Sequence, residues 1–261
     1  MKLVDLFHTI QGEGRYAGTL ATFIRFPSCN LFCGLEKPLP DKINGKPYNP
    51  TQKTINKMKV KNATWVCDTM VQWRQTGKEY SIIDIMNTVR NNYNNSNYHI
   101  VFTGGEPLLH KFDIQELIEE FEKLPYPPSK YEIESNATIP PLIHDKVVYN
   151  LSPKLKNSGL PENMRIKPQV LFQYQQLNKI HEVYLKFVVN TWEDVDDAIS
   201  VINDNFPEKK FDKKQIYFMP GAYTRKELIK NSLKVVNFCK IVGVNYSPRL
   251  QIFIWDKAIS V

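Results

Sequence analysis

The chain reads as an α/β protein built on a mainly parallel sheet, and three observations predict it. Short runs rich in β-branched and aromatic residues alternate with segments of helical apolar spacing. Such alternation requires right-handed crossovers and therefore parallel strands. The chemically interesting side chains fall directly after predicted strands, at the edge where ligands of parallel sheets collect. No internal repeat interrupts the pattern.

In chain order, strands are predicted at Ala21–Phe26, His99–Thr103, Tyr131–Ser135, Val147–Leu151, Val183–Val189, Gln215–Met219 and Leu250–Trp255. Helices are predicted at Ser81–Tyr93, Asp113–Leu124, Pro168–Ile180, Thr191–Asn203 and Thr224–Val242. Several open on Ser, Asp or Thr, whose side chains cap free N–H groups. A length of 261 residues suits one domain, 1–261, with a single sizeable core. The start of the chain lacks the apolar stretch of a signal peptide, and no run approaches the roughly 18 apolar residues of a membrane span, so a soluble cytoplasmic protein is expected.

Residues 34–62 stand apart. Lysines 37, 42, 46, 53, 57, 59 and 61 face only Glu36 and Asp41, so five of the seven net positive charges lie here. With Pro38, Pro40, Pro47 and Pro50 and no clear apolar period, this stretch is expected to be an insertion loop. It is either a solvated surface or a docking patch for an acidic reductase. Charge so concentrated does not make the whole fold a nucleic-acid binder.

The insertion lies between cysteines. Cys29 and Cys33 have three residues between them, and another 33 separate Cys33 from Cys67. In a chain of this kind, four cysteines argue for metal or redox chemistry over disulfides. Cys239 sits among apolar residues at helical spacing and reads as core. Three thiolates suit an iron-sulfur cluster with one iron left open. A structural zinc site normally shows a second close pair of ligands, which is missing here, so zinc is the weaker reading.

Thr103-Gly104-Gly105-Glu106-Pro107 ends an apolar run with a permissive turn and a carboxylate able to grip an ammonium group. Beside three cysteines, it suggests an enzyme that cleaves S-adenosylmethionine to a radical. Gln11-Gly12-Glu13-Gly14 offers backbone and side-chain groups suited to the edge of a heterocycle. Arg25 interrupts the apolar strand and needs a carboxylate, from a substrate or from a structural Glu. Asp68 and Thr69 place oxygen donors beside Cys67, where magnesium would also need substrate oxygens.

Together these residues resemble the 7-carboxy-7-deazaguanine synthase family of radical S-adenosylmethionine enzymes. The likeness runs through His8–Gly14, Phe23–Arg25, Cys29–Gly34, Ala63–Thr69, Thr103–Pro107, Glu134–Thr138, Leu151–Lys154, Tyr217–Pro220 and Arg249–Trp255. It implies a partial β/α barrel. The implied reaction turns 6-carboxy-5,6,7,8-tetrahydropterin into 7-carboxy-7-deazaguanine with loss of ammonia, a lyase step of queuosine-type deazapurine biosynthesis. Cys29, Cys33 and Cys67 would then ligate a [4Fe-4S] cluster, with Glu106 as a further catalytic residue and Thr69 on Mg2+.

By the same resemblance, Gly104, Gly105, Glu106, Glu134, Asn136, Ser152, Pro153 and Lys154 would hold S-adenosylmethionine. Ile10, Gln11, Gly12, Glu13, Arg25, Thr103 and Val261 would surround the pterin. A flavodoxin- or ferredoxin-type electron donor and a homodimer are implied, with neither nucleic acid nor membrane as partner. This chain departs from most relatives in its displaced third cysteine, and in Gln251 where a histidine is common. The competing readings are another radical S-adenosylmethionine enzyme, such as a glycyl-radical activase, and a zinc-binding nucleic-acid module.

Overall fold

Side chains alternate between the two faces of a strand, and here the two faces have opposite character. The structure, a computed structural model, describes residues 1–75, 77–206 and 211–257. Eight strands form its main sheet: β1 (Asp5–Ile10), β2 (Leu20–Phe26), β3 (His99–Gly104), β4 (Lys130–Ser135), β5 (Val147–Leu151), β6 (Glu182–Val188), β7 (Ile216–Met219) and β8 (Asn245–Tyr246). Their order is β8-β7-β6-β5-β4-β3-β2-β1, so each strand pairs with its successor. Every pairing is parallel except that of β1 with β2.

On one face Ile24, Phe26, Ile100, Phe102, Ile133 and Leu151 are buried in the main core. The helices that cover them are α3 (Ile82–Asn92), α4 (Lys111–Phe121), α5 (Pro168–Leu177), α6 (Trp192–Asn205) and α7 (Arg225–Val242), the first three preceded in sequence by short α1 (Gln52–Lys57) and α2 (Met70–Trp73). Each supplies a stripe to that core, such as Ile85 and Val89, Ile114 and Leu117, or Val195 and Ala198. Ser81 and Thr191 form capping boxes at the starts of α3 and α6. Cys239 lies within this core.

The opposite face carries Arg25, His99, Thr103, Glu132, Asn150 and Lys186, all buried although polar or charged. With helices on one side only, and with β1 and β8 unpaired to each other, the sheet is an open half of a β/α barrel with a polar hollow. This is the α/β partial barrel that the resemblance implies. Among the described residues, no helix is long and apolar enough to cross a membrane.

Six predicted strands and all five predicted helices are present within a few residues of their expected ends. The seventh strand is a correction: Leu250–Trp255 is a helix, α8. Its aromatic and β-branched content suits a strand, but Asn245–Tyr246 already occupies the sheet edge beside β7. Pro248 then ends the extended run, and Ile252 packs against Ala222 and Leu228. Strand β1 escapes sequence reading because its residues are mostly half-buried and give no strict alternation.

The insertion is more structured than a loop. It holds a hairpin, Lys42–Ile43 against Lys46–Pro47, and α1, capped by Thr51. Ile55 of α1 is fully buried with Leu35, Val66 and Met70 in a small core of their own. The stretch leaves and re-enters at a narrow neck, where Val60 N–H donates to Gly34 O (3.0 Å), and Cys67 N–H to Cys33 O (3.1 Å). Gly34 has φ +89°, and a Cβ there would lie 2.5 Å from Trp65 O. Cysteines far apart in sequence are thereby brought together, which removes the difficulty of the displaced third cysteine.

Because that small core is separate from the main one, Ile55→Ala is expected to loosen the insertion alone. Limited proteolysis should cut within 36–62 while the main thermal transition moves by no more than about 2 °C. A shift of the whole transition by more than about 5 °C would show instead that the insertion is part of the main cooperative unit.

Candidate active site

The site is built on the carboxyl edge of the sheet, where each strand hands over to a loop. Cys29 and Cys33 follow β2, and Cys67 returns beside Cys33 through the neck. Burial pushes the Cys29 thiol up to about 12 and raises Cys33 and Cys67 as well, with the other thiols adding to the effect for Cys29 and Cys33. For Cys67, the second cause is Asp68. The nearby Lys154 ammonium offsets a part for Cys29 and Cys33. Without a metal these are neutral thiols, and iron would have to displace their protons.

Three converging thiols are a donor set suited to iron-sulfur chemistry. Among the described residues, no three His, Cys, Asp or Glu side chains form the ligand set of a single metal ion. Trp65 Nε1–H donates to Asn157 Oδ1 (2.9 Å) and Val66 N–H to Tyr223 Oη (2.9 Å), so the segment carrying Cys67 is pinned from two other loops.

The Gly-Gly-Glu turn lies directly on the first cysteine. A Cβ on Gly105 would stand 1.9 Å from Ser28 O and 2.7 Å from Cys29 Cβ, so only glycine fits. Gly104 has φ +130° and is equally close to Phe26 O. The Glu106 side chain is turned inward. Its carboxylate accepts from Leu108 N–H (3.1 Å) and Asn136 N–H (2.7 Å), and burial raises it to about 7 against those bonds. It therefore fixes the turn to the loop after β4.

Asn136 extends that link: Nδ2 donates to Asn30 Oδ1 (2.9 Å) and approaches Cys29 Sγ (3.9 Å), while Oδ1 accepts from Thr138. After β5, Ser152 N–H donates to Ser135 O (2.7 Å), Pro153 is buried, and Lys154 Nζ donates to Ser152 Oγ (3.0 Å). Residues expected to hold S-adenosylmethionine thus line one continuous lip above the cysteines. Glu134 is placed differently, with the pterin residues.

Ile10 ends β1 and opens the Gln-Gly-Glu-Gly loop. Gln11 is buried and points into the hollow, where Nε2 donates to Glu132 (3.1 Å) and Glu134 (3.4 Å). Its Oε1 accepts from Glu13 N–H (3.1 Å). Thr103 Oγ1 donates to the other oxygen of Glu134 (2.7 Å). Burial raises Glu134, with Lys186 opposing and Glu13 reinforcing the shift. The loop is closed from above by the C-terminal segment: Leu250 N–H donates to Gly12 O (2.9 Å), and Gly14 N–H to Ser247 Oγ (2.8 Å).

Glu13 is the centre of this closure. Its carboxylate pairs with Lys186 of β6, with Arg249 Nε (3.0 Å) and with Gln251 Nε2 (2.6 Å). Burial works to raise it, yet Lys186 and Arg249 outweigh burial and hold it down at about 2. Arg249 also donates to Asp68 Oδ2 (2.8 Å) and Ala222 O (2.8 Å). Gln251 therefore supports Glu13 directly. A Cβ on Gly12 would strike its Oε1 at 2.0 Å.

Arg25 faces the same hollow and is only 9 % exposed. Its Nε has no hydrogen-bond partner, and among the described residues no carboxylate lies within ion-pair distance of the guanidinium. The strand register sets it beside Thr103. Thr69 begins α2 without using its hydroxyl as a cap, and that oxygen lies 3.5 Å from Cys67 Sγ. Val261 lies outside the described residues. Lys186 and Arg249 were missed in the sequence, although Lys186 gave the same signal as Arg25, a cation inside an apolar strand.

An open parallel half-barrel, thiols at its carboxyl edge and a polar hollow beneath them define an α/β enzyme scaffold with an iron-sulfur type of donor set. The chain is similar over nearly its whole length to proteins named 7-carboxy-7-deazaguanine synthase. That of Halobacterium salinarum is 27% identical over 275 residues, covering 97% of this chain and 90% of the relative. That of Hyperthermus butylicus is 23% identical over 262 residues, covering 97% and 92%. The crystal structure of QueE from Escherichia coli shares the fold, with a TM-score of 0.56 at 20% identity, over 94% of this chain and 92% of that one. No family model matches the chain.

Removing the charge of Glu13 leaves Lys186 and Arg249 buried without it. Glu13→Gln is expected to cost about 3–5 kcal/mol in urea unfolding at pH 7. The folded value lies below the ordinary 4.5, so the carboxylate's contribution is present above that value and is lost as pH falls towards about 2. Parent and variant should therefore converge over that window. Equal stability at pH 7 would rule out the closure as described.

Proposed function

We propose that the protein converts 6-carboxy-5,6,7,8-tetrahydropterin to 7-carboxy-7-deazaguanine and ammonia, using S-adenosylmethionine and a [4Fe-4S] cluster. The observation that carries this reading is the buried guanidinium of Arg25, whose Nε has no hydrogen-bond partner and which feels Glu134, Asp5 and Asp68 without a direct ion pair, in register with Thr103 next to the Gly-Gly turn that touches Cys29. A buried cation with no carboxylate in direct contact remains costly, and a substrate carboxylate would complete it. Full-length similarity to proteins of that name supports the same assignment.

Cys29, Cys33 and Cys67 would hold the cluster, and the lip from Gly104 to Lys154 would hold S-adenosylmethionine. When bound, that pair supplies the radical that abstracts hydrogen from the substrate. The chain's own residues position and enclose. Gly105 lets the turn approach the cysteine loop, Glu106 and Asn136 fix that turn, and Arg25 and Thr103 orient the pterin. Gln11 and Glu13, whose side chains face inward, shape the loop and leave its backbone for the heterocycle. The Ser247–Gln251 segment excludes water from above.

Thr69 would hold Mg2+. Its hydroxyl is free of capping duty, whereas Asp68 is taken by Arg249, so the remaining ligands would come from substrate and water. An external electron donor and a homodimeric state belong to the same proposal.

After anaerobic reconstitution, Cys67→Ala should carry no cluster, while Cys239→Ala, altered in the core, should carry as much iron and sulfide per chain as the parent. Equal loading of both variants would refute the ligand set. Arg25→Gln should raise the KM for the carboxypterin about 100-fold. Its substrate-free formation of 5′-deoxyadenosine should stay near the parental rate. A parent that forms 5′-deoxyadenosine but no deazaguanine from the carboxypterin would end the substrate assignment.

A further inference from the structure

The lysines of the insertion have neither a structural use nor a role in the site above. All seven are exposed, and among the described residues none takes part in an ion pair. Lys59 alone is tied down, by a hydrogen bond to Thr64 O (3.3 Å). Uncompensated like charge on a short segment repels itself, so a surface that keeps it has an external counterpart to meet.

That surface abuts the third cysteine. Gln52 of α1 donates through Nε2 to Cys67 O (3.0 Å), and Ile55 one turn on is buried in the small core against which Cys67 packs. Lys53 and Lys57 stand one turn apart on the outer side of the same helix. A helix is about 10 Å across with its side chains, so their charges lie within about that distance of the cysteine backbone. The hairpin adds Lys42 and Lys46 around Ile43, which is 45 % exposed. Arg74 holds this part in place through Leu39 O (2.8 Å) and Pro40 O (2.9 Å).

We infer that the insertion is the docking surface for an acidic one-electron carrier protein, placed so that the carrier's redox group meets the cluster end of the barrel. The inference rests on the proposed cluster at Cys29, Cys33 and Cys67, which must be reduced from outside. Exposed Ile43 and Met58, each with lysines beside it in sequence, supply the apolar contribution that a weak transient interface uses. The charge is carried by lysine alone, with no arginine between residues 34 and 62. Hydrated point charges suit steering of an acidic protein, whereas phosphate forks and stacked bases call for arginine and aromatic platforms.

The test compares the reconstituted enzyme with a variant carrying Lys42→Glu, Lys46→Glu, Lys53→Glu and Lys57→Glu, and with a control carrying Lys226→Glu and Lys230→Glu on α7. An acidic flavodoxin is the probe. Calorimetric titration of its oxidised form at low salt should show binding weakened at least about tenfold in the quadruple variant only. The parental loss of affinity with added salt should flatten in that variant. Formation of 5′-deoxyadenosine should fall with reduced flavodoxin and stay unchanged with dithionite.

Equal flavodoxin binding by parent and quadruple variant would overturn the inference. So would an equal loss with dithionite, which would make the insertion structural. Loss of affinity for a single-stranded oligonucleotide with flavodoxin binding intact would assign the patch to nucleic acid instead. Should the carboxypterin remain unconverted while flavodoxin binding follows the charge reversal, the docking surface stands and the substrate assignment falls.

Discussion

The buried carboxylate of Glu13 is the point on which the upper half of the molecule depends. Lys186 comes to it from the sheet, Arg249 and Gln251 from the C-terminal segment, and Arg249 carries the link onward to Asp68 beside the third cysteine. An open sheet has no strand pairing between its outer edges to hold its mouth in shape. Here a shared anion does so. Any one of these charges would be expensive alone at such burial, and each is tolerated because the others are present.

The same arrangement explains why the hollow can be polar. A helix-covered face supplies the apolar burial that stabilises the fold, which frees the opposite face for His99, Glu132, Gln11 and Asn150. These satisfy one another: Glu132 accepts from Gln11 and Asn150 and pairs with His99 Nδ1 (2.7 Å). Arg25 is the exception, with its Nε unsatisfied, and it lies where a substrate carboxylate would complete the set. Packing and chemistry are thus divided between the two sides of one sheet.

Much of this was legible in the sequence because it is written in local signals. Runs rich in β-branched and aromatic residues mark β2, β3, β5 and β6, Tyr131 and Ile133 alternate with carboxylates in β4, and Ser81, Thr191 and Thr224 mark helix starts through their side-chain oxygens. Motif residues could be placed on one lip because they follow strands. What was not legible depends on distant contacts. Whether Leu250–Trp255 extends a sheet or coils is decided by which edge is free. Arg249 gains its meaning from partners at positions 13 and 68, and the lysine-rich stretch gains its order from Ile55 meeting Val66 and Met70.

The sequential order of the sheet has a consequence for biosynthesis. Each strand finds its neighbour already made, so the half-barrel can grow as the polypeptide leaves the ribosome, the long connection from Phe26 to His99 being the main one to close. The bond between Glu13 and Arg249 spans 236 positions and cannot form until nearly the whole polypeptide has emerged. The mouth of a nascent barrel therefore stays ajar until synthesis is almost finished, and until then the loops that carry Cys29, Cys33 and Cys67 lack the tie through Arg249 to Asp68.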